Sequence, residues 1–361
     1  MAPFKILAVD GGGIWGVIPA LILAAIEEQT KRPISDLFDL LSGTSTGGII
    51  ACGLAKPGAD GKAEKSANDV VQLYVDDGMT IFPTSFLRGF VGAIRGAKYD
   101  PTGLESTLLQ HFGEARLKDA LKPVLIPSYD IEKQIPIFFK SEKAKVDPAY
   151  DFPMREVVRA TSAAPTYFPP EKIETGNPLD YFALIDGGIV AGNPALCAYA
   201  EAMKMGHSVD DVVLVSLGTG VFKRPIKYAD AVNWGQLEWA QPIIGIVLNG
   251  SNATVDYQLQ QLLEYEGPKQ SYFRFQVEFG QNTNIDDASP ANLKYLMDVA
   301  RAYISDNDTA DMLTRLCALL TVDDASAAAA GGSASAASGS APAPDGSAPA
   351  TSDAPSGAPP T

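Results

Sequence analysis

Residues 38–55 read Phe38-Asp39-Leu40-Leu41-Ser42, then Gly43-Thr44-Ser45-Thr46-Gly47, then Gly48-Ile49-Ile50-Ala51-Cys52-Gly53-Leu54-Ala55. The first five form a short apolar run of strand type, and the last eight read as a buried helix. The five between them fit G-x-S-x-G. A serine at a sharp strand-to-helix turn is pushed up and out, with the helix N-terminus beneath its hydroxyl. The flanking glycines leave room for the turn and for a substrate.

Working outward, Phe4-Lys5-Ile6-Leu7-Ala8-Val9 reads as a strand, Asp10-Gly11-Gly12-Gly13-Ile14-Trp15-Gly16 as a glycine-rich turn, and Val17 to Ile26 as a helix. Consecutive glycines at a helix N-terminus aim several backbone N–H groups into one concavity, which favours negative charge. Two chemistries use such a concavity. One is a phosphate cradle, since Gly11 to Gly16 matches G-x-G-x-x-G; the other is an oxyanion hole for a tetrahedral acyl intermediate. A dinucleotide site requires a second strand ending in an acidic residue about 20 residues on. Here the second strand ends in the serine turn, and Asp36 and Asp39 lie before or within it. No Lys-[Ser/Thr] follows the glycines, which excludes a P-loop.

A nucleophilic serine needs a base. The chain has 2 histidines, His111 late in an apparent helix and His207 just past another. Neither follows a strand, where an open α/β sheet presents its reactive groups. A carboxylate does: Tyr181-Phe182-Ala183-Leu184-Ile185 is strand-like and stops at Asp186-Gly187-Gly188, before Asn193-Pro194 opens a helix. An Asx-type turn closing a strand would read the same way.

In this order the three blocks resemble the patatin-like phospholipases, lipid acyl hydrolases whose signature is D-G-G-G-x-R-G, then G-x-S-x-G, then D-G-[GA]. The resemblance extends over nearly all of residues 4–320, with Arg159 to Phe168, Ser216 to Gly220, Val255 to Leu259 and Asp286 to Pro290 also similar to the family. It implies a Ser–Asp dyad with Ser45 as nucleophile and Asp186 as base. Backbone N–H groups of Gly11, Gly12 and Gly13 would form the oxyanion hole, joined by that of Thr46 through the general elbow geometry. Asp10 would brace the turn. The implied enzyme is a carboxylic ester hydrolase that uses no cofactor and no metal, with a lipid or phospholipid substrate met in transient contact with a membrane surface. Where the family pattern has arginine, this chain has Trp15, a substrate-proximal position that gains apolar surface and one N–H donor. A preference for anionic head groups is therefore not expected. The competing class is a non-catalytic module that holds a phosphorylated ligand or nucleotide at the glycine loop.

The formal net charge is −15. No basic run occurs, so nucleic acid is not an expected partner, and an acidic body is repelled by anionic membranes. Residues 325–361 contain Ala, Gly, Ser, Pro, Thr and two aspartates, Asp345 and Asp353. Such a composition cannot bury enough apolar area to fold, so the chain divides into an acyl hydrolase domain over residues 1–324 and a disordered tail over 325–361. Val17 to Ile26 is too short to span a bilayer. Cleavage of a signal peptide after it would remove the glycine loop, which points to a cytoplasmic enzyme. Cys52, Cys197 and Cys317 show neither disulfide nor metal spacing.

Strands at Lys5–Val9, Phe38–Ser42, Val124–Tyr129, Pro136–Lys140, Phe182–Ile185 and Val212–Leu217 alternate with helices. That alternation predicts an α/β fold with a mostly parallel central sheet and helices on both faces. Right-handed crossovers would bring Gly11–Gly13, Ser45 and Asp186 to one carboxyl edge. Trp239 to Leu248 reads as a packed helix or a wall of the acyl pocket, and Met79 to Ile94 as core packing in preference to a mobile lid. Replacing His111 and His207 together by alanine is expected to leave most ester turnover per folded molecule intact. A loss of about a thousandfold, within the general-base range, would restore a histidine triad.

Overall fold

Strand β1 (Phe4–Val9) is buried along its whole length. Phe4, Ile6 and Ala8 enter one apolar cluster, and Leu7 and Val9 enter another. A strand that serves two cores by the period-two alternation of its side chains belongs in the middle of a sheet covered on both faces. Lys5 falls on the Leu7 side, and its ammonium donates to the Leu320 carbonyl at 3.0 Å, at the end of the helix Asn307–Leu320. The buried cation thus meets the negative end of a helix.

The computed structural model describes residues 3–83, 96–176, 180–222, 225–240, 242–281 and 283–322. The expected tail and residues 84–94 of the Gly/Pro-punctuated stretch lie outside them. The remaining strands are β2 (Leu40–Gly43), β3 (Val124–Asp130), β4 (Ile135–Lys140), β5 (Glu171–Glu174), β6 (Tyr181–Asp186), β7 (Val212–Leu217) and β8 (Tyr272–Phe275). Together they form one sheet in the order β5-β6-β3-β2-β1-β7-β8, with β4 also on β3. From β8 to β3 the strands run parallel. One face is covered by helices that include Val17–Thr30, Thr46–Ala55, Ala67–Ile81 and Pro290–Ser305. Ala195–Lys204 and the far half of Pro242–Leu262 cover the other. Among the described residues, no helix is long and apolar enough to cross a membrane.

Three features differ from the expectation. β6 runs antiparallel to β3, and β5 antiparallel to β6. β2 and β6 share one edge of β3 end to end: Ser42 pairs with Leu125, and Asp186 pairs with Ser128 further along. Asp186 therefore approaches the carboxyl end of β2 head-on instead of emerging beside it. β5 and β8 were not anticipated, because β5 has one apolar residue, Ile173, and β8 carries Arg274 among its aromatics. The stretch from Trp239 to Leu248 does not pack throughout: Ile246 and Val247 are 43% and 53% exposed. The helix that contains them rests on the sheet through Val255 and Leu259, with Leu263 just past its end.

The turn between β2 and its helix is tight. A Cβ on Gly43 would lie 1.9 Å from the Gly47 carbonyl oxygen, and one on Gly47 would lie 2.2 Å from the Val9 oxygen. Backbone atoms cannot rotate away as a side chain can. Gly47→Ala is expected to lower stability by about 1–3 kcal/mol, read as a shift of the denaturation midpoint. An unchanged midpoint would show that the turn has slack.

Candidate active site

Ser45 stands between Gly43 at the end of β2 and the helix that begins at Thr46, with φ 55 and ψ −121. A non-glycine residue in this region is strained and persists where its surroundings over-determine it. They do so here. The Ser45 N–H donates to Thr161 Oγ1 at 3.0 Å, and the Thr161 hydroxyl donates to the Pro127 carbonyl at 2.6 Å. The Ser45 carbonyl accepts the Gly48 and Ile49 N–H groups at 2.8 and 3.2 Å. The Thr44 hydroxyl donates to the Ala191 carbonyl at 2.6 Å.

Asp186 ends β6 and is 6% exposed. Its N–H donates to the Ala163 carbonyl at 3.0 Å, and the next N–H, of Gly187, donates to the Thr161 carbonyl at 3.2 Å. Thr161 thus holds both Ser45 and the Asp186 turn. The Asp186 carboxylate accepts the Gly188 N–H at 2.7 Å. Burial pushes its pKa up to about 6, while the Gly188 N–H and the nearby Ser45 hydroxyl pull the other way.

The glycine loop is braced at its root. Asp10 receives Arg274 in a bidentate pair at 3.0 and 2.6 Å, and the same guanidinium donates to Ser216 Oγ at 2.7 Å. Both partners are buried, at 2% and 7% exposure. Burial works to lower the Arg274 pKa, and the Asp10 carboxylate more than offsets it, so the guanidinium stays charged. The Thr219 hydroxyl donates to the Gly11 carbonyl at 2.7 Å. The Ile14 N–H donates to the Ile285 carbonyl at 2.8 Å, which lies 2.2 Å from where a Cβ on Gly13 would sit. With φ 56 as well, the position requires glycine.

The structure brings the three sequence blocks together. A Cβ on Gly11 would lie 3.5 Å from Ser45 Cβ. The Gly11 N–H, however, donates to the Gly192 carbonyl at 2.9 Å, so it is not free to hold an oxyanion. The N–H groups of Gly12, Gly13 and Thr46 have no protein acceptor among the described residues. The Trp15 ring packs edge-on against Phe279 at 5.0 Å, and its indole nitrogen is buried without a partner among the described residues. His111 Nε2 is engaged by Asp77 at 2.8 Å, and His207 stacks on Phe4 at 3.9 Å. Thr161, Thr219 and Arg274 are supporting residues that the sequence reading did not single out. For Arg274 a signal existed: one charge in an otherwise aromatic strand.

Because the folded pKa of Asp186 lies above the ordinary carboxylate value, the folded state binds more protons between about pH 4 and pH 6. Its contribution to stability is present below that window and is lost as pH rises through it. Asp186→Asn removes this dependence. The variant should gain stability relative to wild type above pH 6, with the gain shrinking towards pH 4. Denaturation midpoints at the two ends of the window check this, and an equal difference at both would contradict it.

The profile of the family described as Patatin-like phospholipase matches residues 7–199. Patatin-15, Patatin-04/09 and Patatin group J-1 of Solanum tuberosum are each 32% identical to this chain over 326 residues, 83% of this chain and 83% of theirs. The crystal structure of VipD from Legionella pneumophila aligns at a TM-score of 0.42 and 13% identity, over 84% of this chain and 67% of that one. By the family match and by these relatives, the chain belongs to the patatin-like phospholipases, a family whose activity is lipid acyl hydrolysis.

Proposed function

We propose that the protein cleaves fatty-acyl esters of lipids and phospholipids through a dyad of Ser45 and Asp186. The observation that carries this reading is a strained, elbow-held serine beside a buried carboxylate whose pKa is raised to about 6. Such a base is mostly ionised at neutral pH and still basic enough to accept a proton in the transition state. Asp186 takes the Ser45 proton as Oγ bonds to the ester carbonyl carbon. The N–H groups of Gly12, Gly13 and Thr46 face the resulting oxyanion. Collapse breaks the ester bond, and the proton held by Asp186 passes to the departing alcohol. Asp186 then activates water against the acyl-enzyme, and the fatty acid leaves.

A binding module that holds a phosphorylated ligand at the glycine loop would need neither the strained serine nor its carboxylate partner. Labelling by a fluorophosphonate probe separates the two readings, since a binder does not react. Ser45→Ala should abolish ester hydrolysis in a folded protein, and Asp186→Asn should be nearly as damaging. The double variant should be no worse than the worse single, because groups acting in one step are not additive. Wild-type turnover should rise with pH through an apparent pKa near 6 as Asp186 ionises. Activity of Ser45→Ala within a few-fold of wild type would end this reading.

A further inference from the structure

Lys98, Tyr99, Tyr167 and Asp286 form a cluster that the proposed reaction does not use. Residues 98 and 99 run along 166 and 167: the Lys98 N–H donates to the Thr166 carbonyl at 2.8 Å, and the Tyr99 N–H to the Tyr167 carbonyl at 2.9 Å. The Tyr99 hydroxyl donates to Asp286 Oδ2 at 2.6 Å, and the Lys98 ammonium reaches the same oxygen. The rings of Tyr99 and Tyr167 lie 6.5 Å apart and 24° from parallel. The Lys98 ammonium is 5.1 and 5.7 Å from their centroids. An ammonium against aromatic faces with a carboxylate as counter-ion is the environment in which proteins hold ammonium ligands. Here the occupant is a tethered side chain, 53% exposed, over an Asp286 that is 7% exposed. A partly solvated lysine pair of this kind contributes little and is readily exchanged.

The chain links the cluster to both halves of the candidate site. Asp286 directly follows Ile285, whose carbonyl props Gly13 and Ile14. Tyr167 closes the loop that begins at Ala163, whose carbonyl accepts the Asp186 N–H. Between them, Thr166 is exposed and holds φ 75. It is the third residue of the turn Ala164 to Tyr167, behind Pro165, closed by the Tyr167 N–H on the Ala164 carbonyl at 3.0 Å, and a turn of this kind calls for a positive φ there.

We propose that Tyr99, Tyr167 and Asp286 receive the ammonium group of a zwitterionic phospholipid head group, and that the displaced Lys98 pairs with its phosphate. This rests on the lipid acyl hydrolase reading of Ser45. The charge pattern selects the ligand. A zwitterion exchanges one internal ion pair for two complementary ones at no net change of charge. An anionic head group would meet Lys98 alone and face Asp286.

The test uses the full chain and titrates choline chloride, with ethanolamine as a second arm, into wild type and variants by calorimetry. Lys98→Met removes the resident competitor and should tighten choline binding by about three- to tenfold, the range of a cation–π contact. Asp286→Asn and Tyr167→Leu should weaken it by at least as much. A purely structural cluster would not produce opposite signs. Ser45→Ala should bind choline as wild type does, so the titration stands whether or not the dyad reading survives. In mixed micelles, the ratio of kcat/KM for phosphatidylcholine over phosphatidylglycerol should fall about tenfold in Asp286→Asn. Equal choline affinity in wild type and Lys98→Met, or an unchanged lipid ratio in folded Asp286→Asn, would overturn the proposal. Tighter binding of ethanolamine than of choline would assign the site to the primary ammonium.

Discussion

One edge of β3 is shared end to end by two strands of opposite direction, and the arrangement of the site depends on this. β2 occupies it at Val124 and Leu125, and β6 at Ser128 to Asp130. β2 comes up to the gap and ends in the serine elbow; β6 comes down to it and ends in Asp186. Ser45 and Asp186 come together because two strand ends face each other. Thr161 closes the gap from the side. It bonds the Ser45 N–H with its hydroxyl oxygen, the Gly187 N–H with its carbonyl, and β3 through Pro127.

The glycine loop is held by charge as well as by backbone. Asp10 and Arg274 form a buried bidentate pair at the root of the loop, with Ser216 filling another guanidinium donor. Removing one partner of such a pair leaves the other charge buried and costs about 3–5 kcal/mol. A loop of three glycines has the greatest conformational freedom to lose on folding. The pair below it, the Thr219 hydroxyl on Gly11 and the Ile285 carbonyl beside Gly13 restrict that freedom from three directions. Asp186 is the opposite case. No cation offsets its burial among the described residues, so burial raises its pKa and opposes folding when it is charged. The molecule is stabilised where charge is paired and strained where the proposed chemistry needs a base.

How much of this could be read in the sequence follows from the range of each signal. The serine elbow, the glycine loop and Asp186 are local: each is a strand, a turn and a small residue within ten positions. So are the helices at Val17, Thr46 and Met154. Strand direction is not local. An apolar run reads the same in either direction, so β6 could be located but not oriented. The fate of the Gly11 N–H depends on Gly192, remote in sequence, and no composition rule announces that contact. Arg274 pairs with a residue at the other end of the chain. Ile246 and Val247 look like core in a window of their own, and they are exposed because the helix reaches the sheet through its later turns.

Trp15 shows how one side chain can change what its neighbours must supply. Its ring is committed to Phe279 and its nitrogen to the interior, so the glycine loop itself offers no side-chain cation. Arg274 at the root of the loop is committed to Asp10, whereas Lys98, which connects to the loop through Asp286 and Ile285, is half exposed. An arginine on the loop would carry a fixed positive charge whatever ligand arrived. A lysine held by a carboxylate carries a charge that is neutralised until something exchanges with it. On an acidic protein the second arrangement would, on the proposal above, discriminate between head groups in a way the first cannot, because it rewards a ligand that brings both signs of charge.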